Sequence, residues 1–242
     1  MLLVNEIYGL VKQGEGKSAG MDCVFLRLSG CNLACTYCDT PYTWNWFGTA
    51  FQHPQKFDKT KEVHKMGYSE VVTELERLCK GSRKLVVTGG EPLLQQKQLS
   101  LPLGTLHDAG WWIEVETNGT IIPDPLFVSV IDQFNCSPKF TNAGEIDNPR
   151  EKRLKWEALV AIRHSGKATF KFVITSDKDL EELQEIVSIV DIPANMIWLM
   201  PEGKTRAEQI ARQDQVKELA EKNGYNFTPR LHVLEFDNKR AV

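Results

Sequence analysis

The sequence predicts an α/β fold built on about six parallel strands in one open sheet, and three observations lead there. Short β-branched or aliphatic runs alternate with amphipathic segments of helical period. Glycine-bearing turns such as "TGGEP" and "TNGT" close several of the runs. At 242 residues the chain fits a single large domain, read here as residues 1–242 undivided. Alternating strand and helix implies parallel strands joined by right-handed crossovers. About six or seven strands are too few for a closed eight-stranded barrel, but they suit a partial barrel or a doubly wound sheet.

The elements follow in order. "CVFLRL" (Cys23 to Leu28) reads as a buried strand. "SEVVTELERLC" places Val71, Val72, Leu75, Leu78 and Cys79 on one helical face, with Ser69 as the expected cap. "KLVVT" (Lys84 to Thr88) is the next strand, followed by a glycine turn and a helix from about Gln95 to Asp108. "WWIEVET" (Trp111 to Thr117), "FNCS" (Phe134 to Ser137), "TFKFVIT" (Thr169 to Thr175) and "MIWLM" (Met196 to Met200) continue the strands. Helices fill the gaps near Glu151 to His164 and Lys178 to Val190. The last long helix is expected to start at a capping box, Thr205 with Glu208, and to stop at Gly224. "RLHVLEF" reads as a closing strand. Only Trp44 to Met66 breaks the rhythm: long, aromatic and basic, it reads as an insertion over one end of the sheet.

Composition narrows the class. Hydrophobic residues make up 42% and charged residues 25%, the balance of a soluble globular protein. A net charge of −3 argues against nucleic acid as the main partner. No apolar run approaches the roughly 18 residues of a membrane span. The N-terminus carries Glu6 within its apolar run and no small-residue cleavage site, so it does not read as a secretion signal. A reducing cytoplasm is the expected compartment, where clustered cysteines serve metals or redox chemistry.

"CNLACTYC" concentrates that chemistry. Cys31, Cys35 and Cys38 follow a strand directly, with no fourth cysteine nearby. Three thiolates on a tight loop suit an iron–sulfur cube with one iron left to a non-protein ligand. Zinc held by the same cysteines and a distant histidine (His53, His64 or His107) is the competing reading. A thioredoxin-like reading of Cys35 and Cys38 leaves Cys31 without a use. In "VVTGGEPLL", two glycines allow backbone amides to approach a ligand, and Glu91 offers a carboxylate to an ammonium group.

The cysteine run, with Tyr37 before its third cysteine, resembles the signature of the radical S-adenosylmethionine (SAM) superfamily, whose fold is the partial barrel. The resemblance implies a 4Fe–4S cluster on Cys31, Cys35 and Cys38. Its open iron would chelate SAM, which an electron from the cluster cleaves to a 5′-deoxyadenosyl radical. It also implies SAM contacts at Tyr37, Cys38 and Asp39, and at Gly90, with Glu91 or nearby carbonyls accepting from the amino group.

"VKQGEGKSAG", "FLRLSGCNLACTYCDT" and "LHVLEFDNKRAV" together resemble the 7-carboxy-7-deazaguanine synthase family, along nearly the whole chain. That likeness implies a lyase of 7-deazapurine (queuosine precursor) biosynthesis. It would contract 6-carboxy-5,6,7,8-tetrahydropterin to 7-carboxy-7-deazaguanine with loss of ammonia, SAM being regenerated. Substrate contacts are expected at Lys12, Gln13, Gly14 and Glu15 for the pterin edge, at Arg27 for its carboxylate, and at Thr88. Asn118, Ser137, Pro138 and Lys139 match positions around the SAM carboxylate and ribose, and Thr40 matches a magnesium ligand. The resemblance adds Lys171 to Ile174 as backbone contacts, and His232 with the terminal "NKRAV" as a closure over the substrate. A homodimer and a flavodoxin- or ferredoxin-type electron donor are implied as well. The final "EFDNKRAV" lacks the family's tryptophan–glycine pair.

Two other readings stand beside this one: a glycyl-radical-activating enzyme with the same cluster, and a non-catalytic zinc-stabilised domain. Cys23, Cys79 and Cys136 read as core residues. Lys56, Lys59, Lys61 and Lys65 read as a solvated face, or else a docking patch for an acidic electron donor.

Overall fold

The aliphatic runs pair side by side. The computed structural model describes residues 1–47 and 56–242. Its strands are β1 (Leu2–Lys12), β2 (Asp22–Leu28), β3 (His64–Met66), β4 (Lys84–Gly89), β5 (Trp112–Thr117), β6 (Gln133–Cys136), β7 (Ala168–Ile174), β8 (Ile197–Pro201) and β9 (Asn226–Phe227). Among the described residues they form one sheet in the order β3-β1-β2-β4-β5-β6-β7-β8-β9. From β2 to β9 every neighbour is parallel, while β1 runs antiparallel to both β2 and β3. Nothing pairs β3 with β9 among the described residues, so the barrel stays open.

Strand periodicity explains the two faces of this sheet. Leu26, Leu85, Val87, Ile113, Val115, Phe134, Phe170, Phe172, Ile197 and Leu199 turn to one side. There they pack on α2 (Tyr68–Cys79), through Val71 and Leu75, and on α3 (Gln96–Asp108), through Leu99, Leu103 and Leu106. Leu183 and Ile186 of α7 (Asp179–Val190) and Val216 of α8 (Arg206–Asn223) complete the layer. Fully burying each such side chain contributes about 1.5–3 kcal/mol. The alternate residues, Arg27, Thr88, Glu116, Asn135, Lys171 and Met200, face the concave side and line a cavity. One face therefore makes the core, and the other is free for chemistry.

Several elements differ from the sequence expectation. "RLHVLEF" is a helix, α9 (Leu231–Phe236), because the edge of β8 is already taken by β9. The Leu231 N–H is instead drawn to the Gly14 carbonyl at 2.9 Å, and tertiary contacts override β-propensity. The helix expected near Glu151 to His164 is two, α5 (Arg150–Arg153) and α6 (Trp156–His164), separated by extended Leu154 and Lys155. Gly67, not Ser69, caps α2, and the Glu70 carboxylate accepts the Gly67 N–H at 3.1 Å. Of the segment Trp44 to Met66, residues 48–55 lie outside the described residues. Its end forms one turn, α1 (Lys59–Glu62), and then β3, which extends the sheet edge rather than lying over it. α4 (Pro125–Ser129) carries an Asp124 cap, and α8 has the expected Thr205–Glu208 box and a left-handed Gly224.

Candidate active site

A cavity of about 610 Å³ opens at the C-terminal ends of the parallel strands. The loop after β2 carries Cys31, Cys35 and Cys38 onto one wall. All six cysteines are free thiols, and Cys136 sits behind this wall in the core. Burial pushes the Cys35 thiol up to about 11, and raises those of Cys31 and Cys38 as well. A metal bound there would favour their thiolate form. The Trp44 indole N–H donates to Cys38 Sγ at 3.3 Å, a bond of the kind that tunes cluster potentials. His64 and His107 are absent from the cavity wall, and His53 lies outside the described residues. Among the described residues no three His, Cys, Asp or Glu groups gather tightly enough for a single metal ion. Three thiols on one wall suit a polynuclear cluster with one corner left to a non-protein ligand.

The glycine turn lies directly against this loop. A Cβ on Gly90 would fall 1.9 Å from the Gly30 carbonyl oxygen, so the two backbones touch as only glycine allows. The Glu91 N–H donates to that same oxygen at 2.8 Å. Glu91 itself differs from its expected role. Its carboxylate is fully buried and turned away from the cavity, accepting from Leu93 N (2.9 Å), Thr117 Oγ1 (2.8 Å) and Asn118 N (2.7 Å). Burial raises it, and those bonds oppose the rise. It ties the ends of β4 and β5 together, so the carboxylate is engaged there and not at the cavity. Pro138 also stays off the wall, whereas Gly90, Asn118, Ser137 and Lys139 are on it. The Asn118 amide donates to Asn32 Oδ1 at 3.0 Å, and the Lys139 ammonium donates to Ser137 Oγ at 2.9 Å. Lys139 Nζ also lies 6.0 Å from the Tyr37 ring centroid.

Polar and charged groups make up the opposite wall. Gln13 is buried, its amide donating to Glu114 (3.0 Å) and Glu116 (3.2 Å) and its oxygen accepting from Glu15 N (3.3 Å). The Gln13 side chain therefore sets the loop, and the neighbouring backbone faces the cavity. A Cβ on Gly14 would lie 2.0 Å from His232 Nδ1, so helix α9 seats on that glycine. Glu15 pairs with Lys171 and with Arg230, whose Nε donates at 2.7 Å. Burial alone would raise this carboxyl, but Lys171, Arg230 and His232 together hold it well below its ordinary 4.5. Arg230 also binds Asp39, offsetting the burial that would raise that carboxyl and leaving it below its ordinary value. Thr88 donates to Glu116 at 2.7 Å, and Lys12 pairs with Asp22 at the rim. Arg27 donates to Glu6 at 2.7 Å and to the Tyr8 hydroxyl at 2.8 Å while still lining the cavity. Thr40 lies on the wall with its hydroxyl 3.8 Å from Cys38 Sγ.

Sequence reasoning gave no role to Glu116 or Arg230, which line the cavity, and gave Lys171 only a backbone part. For Glu116 and Lys171 period-2 alternation was the available signal, since a charged residue amid an apolar strand marks an inward position; Arg230, ahead of α9, carries no such signal. The segment Asp237 to Val242 also lines the cavity, with the Arg240 guanidinium 3.8 Å from the Tyr42 ring centroid.

Comparison with known proteins adds an independent line. The model of the radical SAM superfamily matches residues 26–175. The 7-carboxy-7-deazaguanine synthase of Pyrobaculum aerophilum is 34% identical, over 95% of this chain and 92% of the relative. That of Rhodopirellula baltica is 32% identical, over 100% and 89%. Among solved structures, QueE from Escherichia coli superposes with a TM-score of 0.68 at 22% identity, covering 96% of this chain and 94% of that one. This last likeness speaks to the fold.

Proposed function

The chain belongs to the 7-carboxy-7-deazaguanine synthase family of the radical SAM superfamily, and from that premise we propose how its cavity works. It is a radical SAM lyase of 7-deazapurine biosynthesis, converting 6-carboxy-5,6,7,8-tetrahydropterin to 7-carboxy-7-deazaguanine with loss of ammonia. One observation carries the assignment of parts: a single cavity is lined both by three thiols and by a buried, charge-paired cluster. The 4Fe–4S cluster and SAM, when bound, supply a carbon-centred radical that abstracts hydrogen from the pterin.

The residues bind and orient. Arg27 presents the edge of its guanidinium to the substrate carboxylate, its other donors being fixed by Glu6 and Tyr8. The backbone of residues 12–14, Thr88 and the Glu116 carboxylate offer the donors and acceptors that a pterin amide-and-amine edge requires. Lys171 and Arg230 keep Glu15 ionised, so its charge stays fixed while the substrate rearranges. Asn118, Ser137, Lys139 and Tyr37 surround the SAM end, and Trp44 keeps water from Cys38. Thr40 offers one hydroxyl, which fits a magnesium ion drawing its other oxygens from substrate carboxylate and water.

We also propose a flavodoxin- or ferredoxin-type electron donor, a homodimer, and a reducing cytoplasmic setting, as the family likeness and the cluster chemistry suggest. No helix among the described residues is long and apolar enough to cross a membrane. The function is tested by incubating the reduced, iron–sulfur-loaded protein anaerobically with SAM and 6-carboxytetrahydropterin. Formation of 7-carboxy-7-deazaguanine by mass spectrometry supports the reading. Its absence with an intact cluster overturns it.

A further inference from the structure

The cysteine loop is pinned by a residue outside its motif, in the segment between β6 and β7. Asn148 is fully buried, 114 residues beyond the loop. Its Oδ1 accepts the Ala34 N–H at 2.8 Å, and its Nδ2 donates to the Ala34 carbonyl at 3.0 Å. The same Nδ2 reaches the carbonyls of Ala143 (3.0 Å) and Gly144 (3.2 Å). Its own N–H donates to the Gly144 carbonyl at 3.0 Å, and Pro149 behind it keeps Asn148 out of the following helix. A second tie runs alongside: Thr36 N–H donates to the Ala143 carbonyl at 3.0 Å, and Thr36 Oγ1 to the Asn142 carbonyl at 3.1 Å.

These bonds bracket Cys35. Its two backbone torsions are set by the planes of the peptide groups before and after it. The preceding plane is held through the Ala34 carbonyl, the following one through the Thr36 N–H. Both anchors belong to residues 142–148, so they move together. We propose that Asn148 is a positioning residue for the cluster, fixing the backbone of Cys35 and hence the direction of its thiol before any iron arrives. The amide is suited to this because it alone offers an acceptor and two donors in one plane. Aspartate has the same shape but would face three carbonyl oxygens with an oxygen of its own.

The proposal rests on Cys35 being a cluster ligand, so its test separates the two. The full-length, iron-free chain is alkylated with iodoacetamide, and the rate at each cysteine is read by peptide mass spectrometry. In Asn148→Asp, Cys35 should react about tenfold faster or more, as local opening becomes easier. Cys23 and Cys136, both in the folded core, should keep their wild-type rates. An unchanged Cys35 overturns the proposal, and so does a rise shared equally by Cys23 and Cys136, which would mark general loosening. If Asn148→Asp does not fold, Thr36→Val decides by the same pattern, with a rise of about threefold expected from losing one of the ties. Iron uptake by the wild-type chain reports on the ligand assignment alone.

Discussion

The Nε of Arg230 donates to Glu15 Oε1 at 2.7 Å, joining residues 215 positions apart inside the cavity wall. Its other arm binds Asp39, next to Cys38, so one guanidinium links the Glu15 carboxylate to the cysteine loop. Removing it strands two inward carboxylates on fewer counter-charges. Arg230→Ala should lower folding stability by about 3–5 kcal/mol, as measured by urea unfolding. It should also depress kcat/KM more than Arg230→Lys, which keeps the charge but not the fork.

Acid should weaken the same wall in two windows. Glu15 has a folded-state value below its ordinary 4.5, so its contribution is complete above that pH and lost as pH falls through the lower value. Burial, foremost, holds His232 below its ordinary 6.5, so stability is also lost as pH falls from there toward the folded value. Burial, the largest influence, would lower Lys171, but Glu15 and Glu116 together hold it above 10.5, and its share is lost only as pH rises through that higher value. Unfolding free energies measured from about pH 7 to about pH 3 should fall in wild type and more shallowly below about pH 4.5 in Glu15→Gln.

Arg27 and Arg240 share the Glu6 carboxylate, at 2.7 and 3.0 Å. Arg240 also reaches Glu62 at 2.8 Å, but its side chain is 40% exposed, so each bond is worth only about 0–1 kcal/mol. Arg240→Gln should barely shift the melting temperature while raising KM for the pterin. Arg27→Gln should raise KM further, by about tenfold or more, through loss of a charge-assisted carboxylate contact.

Gly90→Ala should disturb the cysteine loop itself. The new methyl would meet the Gly30 carbonyl oxygen, backbone that cannot rotate away. We expect a stability loss of about 1–3 kcal/mol and fewer irons per chain after reconstitution, measured by elemental analysis.

What the sequence made legible was local. Three cysteines in eight residues declare their own chemistry, and the apolar period of β2 and β4 to β8 marks a helix-covered parallel sheet. β1 was missed because its residues beyond Asn5 are only half-buried and carry no clean alternation. α9 was misread because Leu231 and Val233 alternate with Arg230 and His232 like a strand, while a contact with Gly14 decides the conformation. The Lys171–Glu15 pair spans 156 residues, and no local pattern announces such a partner. Glu91 shows the converse: its motif points to a ligand contact, while long-range bonds engage its carboxylate in joining two strands.

The most direct measurement is the electron paramagnetic resonance spectrum of the reduced, anaerobically reconstituted protein before and after SAM is added. A cluster held by Cys31, Cys35 and Cys38 alone should change its spectrum as SAM occupies the fourth iron. A reduced cluster whose spectrum is identical with and without SAM would contradict the account.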